Sequence, residues 1–206
     1  MLRRRLLLAV ALVAGLGLVI EAVHTRSHSE PVELLLTKLS LSYEGNLPTW
    51  FSSGLLLACA LAAGAIAAAR PPMHRQWWVI CALAAWISLD ESAELHEHLG
   101  GLFGTGGVLY FDWVIPAAAI VVALVIAFLP FIRALPRATR TRLIVAGIVY
   151  VAGALVMELP LGWWTEQRGT EGFGYALIDW VEETMEMVGA SLALVALVAH
   201  RRDIAP

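Results

Sequence analysis

Charge and thiol are both scarce in this chain: only 15% of its 206 residues are charged and only two are cysteines. Cys59 and Cys81 both stand inside apolar stretches without C-x-x-C spacing. They read as small core residues, and neither a disulfide framework nor a thiolate metal site is expected. No repeat of fixed period is evident, and no long polar stretch leaves room for a separate soluble domain. What is abundant is apolar surface. A hydrophobic content of 59% and a mean hydropathy of +0.74 exceed what an ordinary soluble domain carries.

Runs of about 20 apolar residues, the length that crosses a hydrocarbon core, fall at Leu6–Val23, Pro48–Ala69, Gln76–Leu99, Val108–Ile132, Arg142–Trp164 and Tyr175–His200. The expected fold is therefore all-α, a six-helix transmembrane bundle forming one integral membrane domain over 1–206. Basic residues orient it. Arg3, Arg4, Arg5, Arg70, Arg75, Arg133, Arg137, Arg140, Arg142, Arg201 and Arg202 fill alternate loops and hold eleven of the fourteen positive charges. The positive-inside rule then puts both termini in the cytoplasm of a cell-membrane protein. Only Arg26, Lys38 and Arg168 fall on the other side, beside Glu30, Glu33, Glu44, Glu166 and Glu171. Basic charge here sets orientation, and no nucleic-acid partner is expected. The first run ends Glu21-Ala22-Val23-His24 without a small-x-small cleavage site, so it is expected to remain as a span.

Between the first two runs, Val32, Leu35, Leu36 and Leu39 recur at helical spacing beside Glu33 and Lys38. This predicts a short amphipathic helix near 31–42 on the outer surface, acting as a cap over the bundle or as a lid or docking face.

Carboxylates sit where lipid should be. Asp90, Glu91, Glu94, Glu97, Asp112, Glu158, Asp179, Glu182, Glu183 and Glu186 all belong to the extracytoplasmic half under this topology. An ionised group at mid-bilayer costs at least ~2.5–3.5 kcal/mol. Read as one helix at about 100° per residue, Ser88 to His98 places Asp90, Glu91, Glu94, Glu97 and His98 within roughly 120° of arc, with His96 on the other side. Asp179, Glu182, Glu183 and Glu186 span roughly 100° in the same way. Glu158 joins them from the fifth run, where Pro160 is expected to loosen or kink the helix. Asp112, Glu166, Glu171 and Asp179 stand near span ends and read as solvated. So do His24, His28, His74 and His200. Trp50, Trp77, Trp78, Trp113, Trp163 and Trp164 read as an interfacial aromatic belt, and Trp86 and Trp180 as packing.

Like charges this close cannot all remain ionised. Either most carry protons or a cation is held among them. Carboxylates and imidazole from several helices compose the ligand sets of di-iron and di-manganese bundles, although Glu94-x-x-x-His98 differs from the Glu-x-x-His of those proteins. The expected metal ligands are Asp90, Glu91, Glu94, His96, Glu97, His98, Glu158, Glu182, Glu183 and Glu186. Oxygen-rich donors without thiolate select iron first, then zinc or manganese, with room for two ions. Calcium and magnesium fit the oxygens but make less use of histidine.

Ser88-Leu89-Asp90-Glu91 with His96-Glu97, and Glu182-Glu183 with Glu186-Met187 and Gly189, resemble two motifs of a group of uncharacterised small bacterial multi-pass membrane proteins. The resemblance covers two of the six runs. It implies that His96 and Glu97 belong with the site, and it brings no activity with it.

The expectation that follows is a metal–carboxylate centre in the outer half of the bundle, serving a di-iron type oxidoreductase on a lipid-like or quinone-like substrate. A cation or proton transporter is the first alternative, although the cytoplasmic halves of the spans are nearly devoid of polar residues. The second is an accessory subunit whose acidic face meets a protein partner or another copy of the chain. An intramembrane zinc hydrolase finds less support, because no three-histidine ligand set is present.

Overall fold

The computed structural model describes residues 1–204, leaving the last two positions of the expected 1–206 domain outside the described residues. The chain is helical throughout, with no strand among the described residues. Its elements are α1 (Leu2–His24), α2 (Glu30–Leu39), α3 (Leu47–Ala68), α4 (His74–Ala93), α5 (Val114–Ala134), α6 (Arg137–Val151), a π-helical segment (Ala152–Met157), α7 (Glu158–Arg168) and α8 (Phe173–Asp203). Among the described residues, four rods are long and apolar enough to cross a membrane: α1, α3, α5 and the continuous rod Arg137–Arg168. The other two expected spans, α4 and α8, are 20 and 31 residues long and carry the acidic clusters.

α8 is the central rod. Met187 and Ala190 pack with Val10 and Ala14 of α1 and with Leu55 and Leu56 of α3. One turn and more further on, Leu197 packs with Ala63, Ile66, Trp77 and Phe131. Small residues set the closest approach. A Cβ on Gly189 would lie 2.6 Å from the Tyr150 backbone nitrogen, so only glycine lets α6 and α8 cross at this separation. Trp180 Nε1 donates to the Ala14 carbonyl at 2.7 Å and ties α8 to α1. The outward faces remain apolar, as Leu8, Leu12 and Val19 of α1 and Ile120, Val122 and Ile126 of α5 are exposed. That is the pattern of rods meeting lipid.

Two boundaries depart from the sequence expectation, and the loosening expected at Pro160 is present. α4 stops at Ala93 instead of running to His98, because Glu94 adopts the left-handed conformation with φ of 52°. The 120° stripe therefore breaks, and Glu94 and His98 no longer continue the face of Asp90 and Glu91. The fourth rod begins at Val114, with an irregular segment through Gly100–Gly107 ahead of it. In the fifth rod the loosening sits just ahead of Pro160, whose missing N–H and bulky ring disturb the ladder four residues back at Val156. The π turn over Ala152–Met157 absorbs that disturbance.

α2, from Glu30 to Leu39, covers the C-terminal end of α1. Leu36 is buried, while Leu34 and Leu35 face outward. Gly17 of α1 abuts the Leu39 carbonyl and Leu41, and Ser40 Oγ donates to the buried Glu21 carboxylate. Both contacts fix the angle of the α1–α2 elbow.

Candidate functional site

Side chains from α4, the π–α7 junction and α8 gather in one region of the interior. Glu182 interacts electrostatically with Glu158, Asp179 and Glu186. Glu183 lies within reach of Glu91, Glu186 and Asp179, and Glu186 within reach of Glu91 and Glu158. Glu44, from the loop before α3, interacts electrostatically with both Glu183 and Glu186, more weakly than their nearer acidic neighbours. Glu158, Glu182 and Glu186 are each at most 8% exposed. Local structure explains the assembly. A Cβ at Gly153 would lie 2.9 Å from the Glu182 carbonyl oxygen, so its glycine lets the π segment approach α8. The same segment delivers Glu158 at its C-terminal edge.

Neutral donors line the region. Tyr150 of α6 donates its hydroxyl to Glu186. Ser52 of α3 faces Glu91, although its buried hydroxyl makes no regular hydrogen bond. Glu182 Oε2 is likewise buried and makes no hydrogen bond to a described residue. Tyr150 and Ser52 were not in the expected ligand set. The polar stripes named only acidic residues and histidines, and a tyrosine in an apolar run carries no such signal.

The remaining expected ligands lie elsewhere. His96 turns back on its own helix end: its N–H donates to Asp90 Oδ1 at 3.0 Å, and its Nδ1 lies 2.9 Å from Asp90 Oδ2. Its ring also meets Trp113 at 4.6 Å between centroids. His98 Nδ1 sits 2.9 Å from the Glu94 carbonyl and is exposed. The Glu97 side chain lies outside the described residues. Asp90 and His96 thus form a helix-terminating pair, while Glu91 alone from this segment reaches the interior cluster.

Asp112 is buried rather than solvated, at 1% exposure. Its carboxylate accepts backbone N–H groups from Gly101 (2.8 Å), Leu102 (3.3 Å), Phe103 (2.8 Å) and Gly104 (3.2 Å). These bonds, Phe103's foremost, hold it below the usual carboxylate range against the opposing effect of burial. Glu166 plays a related part, accepting the Gly107 N–H at 2.7 Å. Both residues shape the segment that joins α4 to α5. His200 is not solvated either: it is 5% exposed, stacks on Trp77 at 5.0 Å and lies 3.3 Å from Thr139 Oγ1. Trp77 itself belongs to the core rather than the aromatic belt, whereas Trp50 and Trp78 are exposed as expected.

A second group was missed altogether. His24, His28 and Glu33 bring three ligand atoms together at the α1–α2 elbow. The signal available in the sequence was the four-residue spacing of the histidines, but the intervening turn is not helical and hid the third member.

With this geometry in hand, comparison with known proteins supplies a family. Residues 3–201 match the family described as Domain of unknown function (DUF8692). The chain belongs to this family. No curated protein and no solved structure matches it. The DUF8692 region contains every residue of both groups, from His24 to Glu186. Within it the interior group is a set of oxygen donors, suited to hard cations or to shared protons. Among the described residues, no three of these carboxylates bring ligand oxygens within 4.8 Å of one another, so they share a region without meeting at a point.

Proposed function

We propose that this DUF8692 chain is a multi-pass membrane protein of six spans, both termini cytoplasmic, that holds a metal–carboxylate centre in its extracytoplasmic half. Glu91, Glu158, Glu182, Glu183 and Glu186 supply the ligands, and Tyr150 supplies a donor that orients Glu186. The observation that carries this reading is the gathering of acidic side chains from three separate rods inside the bundle. Each ionised carboxylate at that depth costs at least ~2.5–3.5 kcal/mol, so the group needs compensating positive charge. No Lys or Arg stands in α8 before Arg201, nor in α4 after Arg75. A bound cation, in place of protons shared among the carboxylates, is the source this reading adopts.

The oxygen-only set favours a hard ion, with manganese and iron ahead of zinc; calcium and magnesium fit the same oxygens but would leave an oxidoreductase without a redox centre. Iron would give an oxidoreductase its redox centre, with a lipid-like or quinone-like substrate arriving from the bilayer. Transport through the chain is less well supported. Between Glu186 and His200, α8 offers Ser191 as its one polar side chain, so a path from the cluster toward the cytoplasm lacks steps.

Elemental analysis of detergent-purified protein after a mild chelator wash tests the reading. Wild type is expected to hold a stoichiometric transition metal that the E183Q/E186Q double variant loses. Equal metal content in the two proteins would overturn it.

A further inference from the structure

We infer that the α1–α2 elbow is a second, independent metal site, for a divalent ion of the zinc class, with His24 Nε2, His28 Nδ1 and Glu33 Oε1 as ligands. Among the described residues this is the one group whose three ligand atoms all lie within 4.8 Å of one another. The edges of the triangle are 3.0 Å from His24 Nε2 to Glu33 Oε1, 3.1 Å from His24 Nε2 to His28 Nδ1, and 3.5 Å from His28 Nδ1 to Glu33 Oε1. A zinc ion about 2.0–2.1 Å from each ligand requires separations of about 3.4 Å in a tetrahedron and about 2.9 Å between octahedral neighbours. All three edges fall near this range.

Hydrogen bonding alone serves the triangle poorly. Each imidazole nitrogen offers either a proton or a lone pair. With one proton on His24 Nε2, the lone pairs of His28 Nδ1 and Glu33 Oε1 face each other. With the proton on His28 Nδ1 instead, the 3.0 Å edge between His24 and Glu33 becomes the repulsive one. Protonating both nitrogens sets two N–H groups head to head at 3.1 Å. A cation at the centre accepts all three lone pairs at once.

The surroundings fix the ligands without closing the site. His24 ends α1 and Glu33 stands in the first turn of α2, two elements clamped by the Gly17–Leu41 approach and the Ser40–Glu21 hydrogen bond. The imidazoles stand edge to face, with ring planes 88° apart and centroids at 4.6 Å. Side-chain exposures of 28% for His24, 47% for Glu33 and 70% for His28 leave one side open to water. Two imidazoles, one carboxylate and an open position match the donor pattern of open, three-ligand zinc sites, and the borderline donors separate this site from the oxygen-only interior.

Zinc titration of chelator-stripped, full-length protein in detergent tests the assignment, using zinc alone as the probe. Wild type and E183Q/E186Q are expected to bind one zinc at the elbow with the same affinity, so this result does not depend on the interior centre. H28A changes an exposed position and E33Q a half-buried one, and an unchanged metal-free unfolding midpoint checks that both variants keep the fold. Because loss of a residue that only supports a ligand costs about 10–100-fold in affinity, each of these variants is expected to lose at least ~100-fold. Wild-type affinity in both variants, or no zinc bound by stripped wild type, would overturn the proposal.

Discussion

The interior cluster and the α1–α2 elbow put their charged groups to different physical tests. Inside the bundle, Glu158, Glu182 and Glu186 are nearly sealed, and energy is the informative quantity because uncompensated charge there is costly. At the elbow, Glu33 and His28 are open to water, where a charged pair is worth at most ~1 kcal/mol, and only geometry is informative. The interior group has the energetic need without a converged ligand set, and the elbow has the converged set without the need. Burial and geometry are therefore separate signals of a site, and here they point to two different places.

The largest expected effect comes from the glycine that holds the interior together. In Gly189→Ala the new Cβ meets the Tyr150 backbone at 2.6–2.7 Å, which no side-chain rotation relieves. α6 and α8 must separate, at a cost of about 1–3 kcal/mol, the range for overpacked cores. The shift also draws Tyr150 from Glu186. Thermal unfolding in detergent is expected to show a lowered midpoint together with reduced interior metal, while zinc binding at the elbow is unchanged. Unaltered stability would mean that the crossing is looser than described.

An intermediate effect is expected at Asp112, which shares the burial of the interior acids but has its charge satisfied by backbone N–H groups. Its folded-state pKa is depressed, so it contributes stability above the ordinary aspartate value near ~3.9 and loses it as pH falls through the lower folded value. The protection factors of the Gly101, Leu102, Phe103 and Gly104 amides, measured against their intrinsic exchange at each pH, are expected to stay high at neutral pH and to fall only in that acidic window. Asp112→Asn is expected to show low protection factors at every pH. Equal protection in both proteins at neutral pH would contradict the role given to these bonds.

Apolar run length made the helical rods legible in the sequence, since it is a property of composition along the chain. The acidic half of α8 was legible too, because an uninterrupted helix preserves the wheel that places Glu182, Glu183 and Glu186 together. The end of α4 was not. A left-handed Glu94, stabilised by the turn that Asp90 and His96 make, depends on contacts across several residues and not on periodicity. Tyr150 and the elbow histidines escaped for a related reason: their partners stand on other elements, and only the crossing of α6 with α8 and of α1 with α2 brings them near.

The smallest expected effect tests the elbow from its energetic side. His28 is 70% exposed, and its contacts to His24 and Glu33 are surface interactions, so His28→Ala in metal-free protein is expected to change stability by no more than ~0.5 kcal/mol. With zinc added, stabilisation by ligand binding appears in wild type and grows with free ion concentration as RT ln(1 + [L]/Kd). His28→Ala has lost most of the affinity and is expected to show little of that rise. Paired thermal unfolding with chelator and with excess zinc measures both quantities on one sample. A variant already destabilised under chelator would show that the triangle serves the fold by hydrogen bonding alone. A difference that emerges only with zinc would mark the elbow as a site whose geometry is set for the ion and not for the apoprotein.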